Sequence, residues 1–151
     1  MRGEHPVSPA RPLRVVGRSV PRPDAVDKVT GRARYVTDLT QPGMLHAAVL
    51  RSEHPHAEIL ELEVSGAAAR PGVEAVLTAR DVPGRNAFGL LVADQPVFAE
   101  GKVRCVGDAL AAVVAASEAE AREALAHIRV RYALLPVVDS PEEALRPGAG
   151  P

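Results

Sequence analysis

The chain has 151 residues, a formal net charge of −1 and a mean hydropathy close to zero. With 46% apolar and 25% charged residues it has the composition of a folded domain, and its balanced charge excludes a strongly basic protein that attracts nucleic acid. One cysteine cannot form an internal disulfide, and the start of the chain does not resemble a secretory signal, so we expect a cytoplasmic protein. The longest apolar run, residues 109–116, is too short to cross a membrane.

Proline interrupts the first part of the chain. Five of the fourteen prolines lie in the first 23 residues, so residues 1–13 are expected to form a flexible arm. Residues 24–29 suit a helical turn capped by Asp24, with Gly31 in the left-handed conformation behind it. The predicted domain covers residues 14–147, and residues 148–151 are interpreted as a tail, a linker that has been cut.

The next segments have strand periodicity. Residues 45–51 are largely apolar on both faces, which predicts a central strand, whereas residues 57–64 alternate apolar residues with glutamates, which predicts a strand near an edge. Ser65 is expected to cap a helical turn over residues 67–70, and a strand follows over residues 73–78.

Residues 83–98 have no sustained period and are rich in turn-forming residues. This predicts a long loop, and long loops inside compact domains are usually functional or mobile. The turn-forming residues are Gly84, Asn86, Gly89, Asp94 and Pro96.

The last third of the chain predicts a strand, a helix and a second strand. Residues 109–116 have the pattern of a strand buried on both faces, and Ser117 with Glu120 forms a capping box at the start of a helix over residues 118–127. A strand over residues 128–134 completes a crossover unit.

Ser140 and Glu143 repeat the capping pattern before a short helix that ends at Leu145. Together the elements predict an α+β domain with a mixed sheet that contains the strand–helix–strand unit.

No catalytic constellation emerges from these patterns. Gly84 and Gly89 have the spacing of a phosphate loop, but Leu90 and Leu91 stand where a lysine and a hydroxyl residue are needed. Each aspartate considered lies at a turn or cap, where a structural role is expected. They are Asp24, Asp27, Asp38, Asp81, Asp94 and Asp108.

The histidines and the cysteine favour structural interpretations as well. His54 and His56 could bind metal with Glu53 and Glu58, but a solvated turn is favoured. His46 is expected to be a core histidine, and His127 ends a helix, where a cation is favoured. Arg104 could activate the Cys105 thiol, although a small buried hydrophobic residue is the expected role. These positions are His46, Glu53, His54, His56, Glu58, Arg104, Cys105 and His127.

Seven segments in this order resemble one known domain. They are Asp27–Tyr35 with Asp38, Pro42–Ala47, Arg51–Ala57, Pro71–Val73, Asp81–Gly84, Val103–Asp108 and Ile128–Tyr132 with Leu135 and Pro136. From about residue 15 to 148, the chain resembles the N-terminal domain of the molybdenum-containing large subunit of the xanthine dehydrogenase and aldehyde oxidase family.

The resemblance implies an α/β-hammerhead fold, like the N-domain of the CO dehydrogenase molybdoprotein. The family hydroxylates aldehydes, purines and other N-heterocycles with oxygen from water, and its electrons pass through 2Fe–2S clusters to FAD. The implied partners are the molybdopterin-binding domains of the large subunit and the iron–sulfur and FAD domains or subunits. The family's catalytic glutamate and nearly all molybdopterin contacts lie downstream of this module, so no catalytic, cofactor-binding or metal-binding residue carries over to this chain.

The resemblance also gives the long loop a role, because the corresponding family segment approaches the substrate funnel. Phe88, Gly89, Leu90 and Leu91 would then lie at the mouth of the channel. Packing of the two leucines on a neighbouring domain is the alternative for the loop. For the whole chain, the alternative to a structural and assembly module of the hydroxylase is a stand-alone hammerhead domain that binds a small molecule or protein.

Overall fold

The computed structural model describes residues 14–148, which fall into two compact units that meet in sequence at Gln41 and Pro42. The predicted arm over residues 1–13 and most of the predicted tail lie outside the described residues. The predicted domain bounds stay a prediction. No helix in the described range is long and apolar enough to cross a membrane.

The described part of the first unit, residues 14–41, contains one short helix, α1 (Ala25–Val29), and a 3₁₀ turn, Val36–Asp38. Asp24 occupies the N-cap of α1, but its side chain does not cap the helix as predicted. Its carboxylate pairs instead with Arg22 and Lys28, both at 2.6 Å. Gly31 behind the helix has a φ of +72°, the left-handed conformation expected of it.

The second unit is built on two three-stranded antiparallel sheets instead of one mixed sheet. Three helices and a 3₁₀ turn, Ala79–Asp81, connect and cover the strands, so the α+β class is confirmed. The strands are β1 (His46–Arg51), β2 (Ala57–Glu63), β3 (Val73–Leu77), β4 (Lys102–Val103), β5 (Ala109–Ala115) and β6 (Arg129–Leu134). The helices are α2 (Ser65–Ala68), α3 (Glu118–Leu125) and α4 (Pro141–Ala144).

The first sheet has the order β1-β5-β3, with β5 in the middle. The continuous apolar sequence of β5 correctly predicted a buried strand, since five of its seven residues are buried. The prediction that β1 is central is wrong, because β1 lies at an edge. Ala47 and Val49 lie on the same face of β1, and both are exposed. This face is therefore apolar in sequence but not buried.

The second sheet has the order β4-β2-β6, so the predicted edge strand β2 is in fact the middle one. Two of its three glutamates lie opposite cationic residues of β6: Glu61 pairs with Arg131, and Glu63 lies opposite Arg129. A bulge between Ile59 and Glu61 interrupts the alternation and leaves Leu60 half exposed.

Helix α3 begins as its sequence predicts. The Ser117 hydroxyl accepts from the Glu120 N–H at 3.3 Å and donates to the Glu120 carboxylate at 2.8 Å. The carboxylate thus bonds the hydroxyl and not the Ser117 N–H that the second half of a capping box involves. The crossover from β5 through α3 to β6 joins the two sheets instead of two strands of one sheet. Ser140 likewise accepts from the Glu143 N–H at α4, whereas α2 starts at Ser65 without a side-chain cap.

Two apolar clusters form the core. The first lies between α2, α3 and β5, with the buried residues Ala67, Ala111, Val113, Ala124 and Ile128. The second involves both sheets and contains Ala57, Ala99, Val103 and Leu110. Leu50 and Val130 pack against both clusters, whereas Leu134 at the end of β6 is mostly exposed.

Candidate functional site

The long segment predicted over residues 83–98 is a loop in the structure, called the leucine loop below. No helix or named strand occurs in it, and a single antiparallel bridge joins Phe88 to Gln95. The Phe88 N–H donates to the Gln95 carbonyl at 2.8 Å, and the Gln95 N–H donates back at 3.1 Å. The bridge makes the middle of the loop a narrow hairpin.

Aliphatic side chains at the tip of this hairpin are open to solvent. Leu90 and Leu91 have relative exposures of 101% and 96%, and Val92 and Phe88 are also more than half exposed. Exposing contiguous large apolar groups is unfavourable in water, and such patches commonly mark surfaces that contact another molecule or domain. The leucine loop is therefore the candidate functional site of the described chain.

Gly89 is required at this tip by close packing. A Cβ atom at Gly89 would lie 1.8 Å from the Val92 carbonyl oxygen, so any side chain there would force the hairpin apart. Gly84, the other glycine of the suspected phosphate loop, has a φ of +88°. A hairpin and not a helix follows these glycines, so they do not present a helix N-terminus to a phosphate.

None of the histidines in the described part of the chain belongs to a cluster of possible metal ligands. The rings of His54 and Tyr132 pack edge to face with centroids 4.8 Å apart, and His56 Nδ1 lies 2.6 Å from the Pro136 carbonyl oxygen. His46, expected in the core, is only partly buried. Between residues 14 and 148, no three His, Cys, Asp or Glu side chains come together as possible metal ligands.

Cys105 was expected to be buried, but it is exposed. Its thiol donates to Asp108 Oδ1 at 2.8 Å, within a turn where Asp108 Oδ2 accepts from the N–H groups of Arg104 and Cys105. The hydrogen bond to Asp108 raises the pKa of the Cys105 thiol, and burial adds to the effect. The alternative of activation by Arg104 is therefore wrong, since the thiolate is disfavoured.

An open groove of about 480 Å³ lies beside this turn. Val106, Val137 and Val138 supply apolar lining, and Lys102 and Arg104 supply positive charge. The three valines are 44–63% exposed. The groove is a second place where apolar surface is left uncovered.

Sequence reasoning missed two polar residues that organise these regions. Ser52 is 2% exposed, and its backbone bonds to the end of the Cys105 turn, through its N–H to the Asp108 carbonyl and through its own carbonyl to the Gly107 N–H. Asn86, noted only as a turn former, binds the far end of the leucine loop. Hydrogen bonds between residues distant in sequence, through backbone for Ser52 and through the side chain for Asn86, leave no periodic pattern by which to find these residues.

The structure places an exposed aliphatic hairpin on a small α+β domain, and comparison with known proteins identifies that domain. The family model described as "Aldehyde oxidase and xanthine dehydrogenase, a/b hammerhead domain" matches residues 30–136. The chain belongs to this family. The predicted resemblance and the hammerhead fold are thus confirmed.

Relatives with this hammerhead domain are much longer than the chain. It is 55% identical over 128 residues to a probable xanthine dehydrogenase subunit of Bacillus subtilis (strain 168), covering 85% of the chain but 17% of the relative. It is 41% identical to the nicotinate dehydrogenase large molybdopterin subunit of Eubacterium barkeri, over 87% of the chain and 31% of that protein. The chain therefore spans less than a third of either relative.

A solved structure supports the same fold. The aldehyde oxidoreductase from Desulfovibrio desulfuricans ATCC 27774 superposes with a TM-score of 0.82 at 38% identity. The match covers 91% of this chain and 17% of that one.

Proposed function

We propose that the chain is the N-terminal hammerhead module of a molybdopterin-dependent hydroxylase of the xanthine dehydrogenase and aldehyde oxidase type. In that enzyme it would have a structural and assembly role and form part of the substrate-funnel wall, without being catalytic alone. The observation that carries the proposal is the exposed aliphatic tip of the leucine loop, held on a domain of this family. An apolar surface of this kind is stabilised when another domain or a bound substrate covers it.

The side chains of this chain do not fit the cofactors of such an enzyme. A 2Fe–2S cluster takes four cysteine thiolates, and the sequence has one cysteine. The loop from Gly84 to Gly89 lacks the lysine and the following helix of a phosphate-binding loop. In the proposed enzyme, molybdopterin, the 2Fe–2S clusters and FAD are therefore held by partner domains or subunits.

Uncovered apolar groups favour assembly over a stand-alone binding domain. Besides the leucine loop, Val106, Val137 and Val138 are uncovered in the groove beside Cys105. A domain that works alone would be expected to close such surface or cover it with polar residues. The proposed partners are the molybdopterin-binding domains of the large subunit, together with the iron–sulfur and FAD domains or subunits.

Assembly is tested by purifying the chain with an affinity tag from its own host and measuring molybdenum, iron and flavin in the eluate. The expected result is enrichment of all three over a tag-only control. A folded monomer recovered without any of the three would support the stand-alone alternative and contradict the proposal.

The funnel role of Phe88, Gly89, Leu90 and Leu91 is tested separately, in the complete enzyme. Xanthine, nicotinate and benzaldehyde serve as trial substrates, because the relatives are named for compounds of these kinds. For a substrate that the enzyme accepts, Leu91→Ala should raise KM by about tenfold, the loss expected when roughly 1.4 kcal/mol of apolar contact is removed, with little change in kcat.

A matched control is available at the end of α4, where Leu145 is also largely exposed. Leu145→Ala removes the same side-chain atoms at a position without a proposed substrate contact, and it should leave KM unchanged. Unaltered kinetic constants in Leu91→Ala for every accepted substrate would show that the leucine loop packs on a neighbouring domain instead.

A further inference from the structure

The base of the leucine loop is closed by the side-chain amide of one residue, Asn86. Its Oδ1 accepts from the N–H groups of Val97 and Phe98 at 3.0 and 3.1 Å, and its Nδ2 donates to the Phe98 carbonyl at 2.8 Å. These three bonds join the N-terminal end of the loop, its entrance, to the C-terminal end, its exit, which lies 11 and 12 residues later. They are partly shielded from water, because Asn86 and Phe98 are half-buried.

The exit of the loop is itself fixed in the core. Ala99, the residue after Phe98, is 4% exposed and belongs to the second apolar cluster. Its N–H donates to the Ala109 carbonyl at 2.7 Å, at the start of β5. Asn86 therefore connects the entrance of the loop to backbone that the core holds in place.

Above this base the loop has few fixed points. They are the Phe88–Gln95 bridge, a backbone bond of 2.8 Å from the Ala87 N–H to the Arg85 carbonyl, an exposed bond of 3.1 Å from Arg85 to the Ala93 carbonyl, and the close approach of Gly89 to Val92. The leucines at the tip make no polar contact of their own. The direction in which the two leucine side chains point therefore depends on how firmly the two ends of the hairpin are held together.

We propose that Asn86 is the positioning residue of the leucine loop: it holds Leu90 and Leu91 in the direction in which they meet substrate. This inference rests on the funnel role given under the proposed function. An asparagine suits the task because its planar amide offers both acceptor and donor, and both are used here. An aspartate would keep the two acceptor contacts and lose the donor.

The test uses Asn86→Ala and Asn86→Asp in the complete enzyme, with Arg85→Ala as the matched control. Arg85→Ala removes one exposed bond from the same loop and leaves the base closed. Two quantities are measured: hydrogen exchange of the backbone amides in peptides covering residues 85–99, and KM and kcat for xanthine, nicotinate and benzaldehyde.

Asn86→Ala should speed exchange in this segment by about tenfold or more, since three hydrogen bonds at the base are lost. KM for an accepted substrate should rise while kcat stays within about twofold, as expected when binding contacts and not the reaction are disturbed. Asn86→Asp should lie between wild type and Asn86→Ala in both measurements, and Arg85→Ala should resemble wild type.

Unchanged exchange in Asn86→Ala would overturn the inference outright. Faster exchange with an unaltered KM would also overturn it, provided that Leu91→Ala raises KM in the same enzyme. If Leu91→Ala itself leaves KM unaltered, the funnel role fails, and the positioning role that rests on it is overturned with it. Should Asn86→Ala fail to accumulate, Asn86→Asp, which preserves both acceptor contacts, decides the same question.

Discussion

At the scale of single residues, several carboxylates of this domain organise backbone turns. Asp81 accepts from the Thr78 N–H and hydroxyl, and Asp108 accepts from two successive N–H groups and a thiol. Hydrogen bonds from Thr78 lower the pKa of Asp81. Burial alone would raise the pKa of Asp108, but the hydrogen bonds from Arg104 and Cys105 outweigh it and lower that pKa.

The contact between Cys105 and Asp108 gives a prediction about pH and reactivity. Because Asp108 raises the pKa of the thiol, less thiolate is present at pH 8 than for a free cysteine. Asp108→Asn removes the negative charge, so the pKa should fall and alkylation by iodoacetamide at pH 8 should accelerate, on the order of threefold. The rate is followed by mass spectrometry over a pH series.

The sequence has one cysteine, so every alkylated product reports on Cys105. Asp81→Asn is the matched control, since it alters a carboxylate that bonds a different turn. If Asp108→Asn were alkylated no faster than the wild-type chain, the Asp108 carboxylate would not be the group that keeps the Cys105 thiol protonated.

At the scale of elements, local signals predicted the helices better than they predicted the sheets. Ser117 with Glu120 and Ser140 with Glu143 cap α3 and α4 as expected, because a cap depends on residues three apart. Strand positions depend on partners far away in sequence. The alternation of apolar and charged residues along β2 indicated a face exposed to solvent. It did not indicate that β4 and β6 lie on either side of this strand.

Contacts between residues far apart in sequence also limited what could be predicted for β1 and for the leucine loop. Alanines give β1 an apolar sequence on both faces, yet small side chains can be exposed at little cost, so composition did not decide its burial. Glycines and a proline indicated the loop correctly, and Leu90 and Leu91 stood out from the sequence. The bonds that shape the loop, from Asn86 to Val97 and Phe98, follow from its folded path and could not be predicted.

Close packing of α3 gives a prediction at this scale. Ala124 is 1% exposed and lies in the cluster with Ala111 and Val113 of β5. Ala124→Leu adds three carbon atoms where there is no room, and it should lower the free energy of unfolding by about 1–3 kcal/mol. Urea unfolding followed by circular dichroism measures the change.

Ala119 on the exposed side of α3 provides the control. Ala119→Leu makes the same chemical change in solvent and should alter stability by no more than about 0.5 kcal/mol. Equal stability of the two variants would contradict tight packing between α3 and the sheet.

At the scale of the whole molecule, stability is concentrated in the second unit. Every residue of the two apolar clusters, including those packed against them, lies between Leu50 and Tyr132. The first unit has no buried residue in either of its elements, α1 and the 3₁₀ turn. The burial in both clusters therefore comes from residues of the second unit.

This distribution predicts that a chain beginning at Pro42 still folds. It should show a single cooperative far-UV circular dichroism transition, with a Tm within about 4 °C of the full chain, because the area buried in both clusters is retained. A chain beginning at Ser52 is the decisive comparison, since it also lacks β1 and Leu50, which packs against both clusters. Its transition should broaden or disappear. If the chain from Pro42 melted as broadly as the chain from Ser52, the first unit would have to contribute to the folding of the sheets.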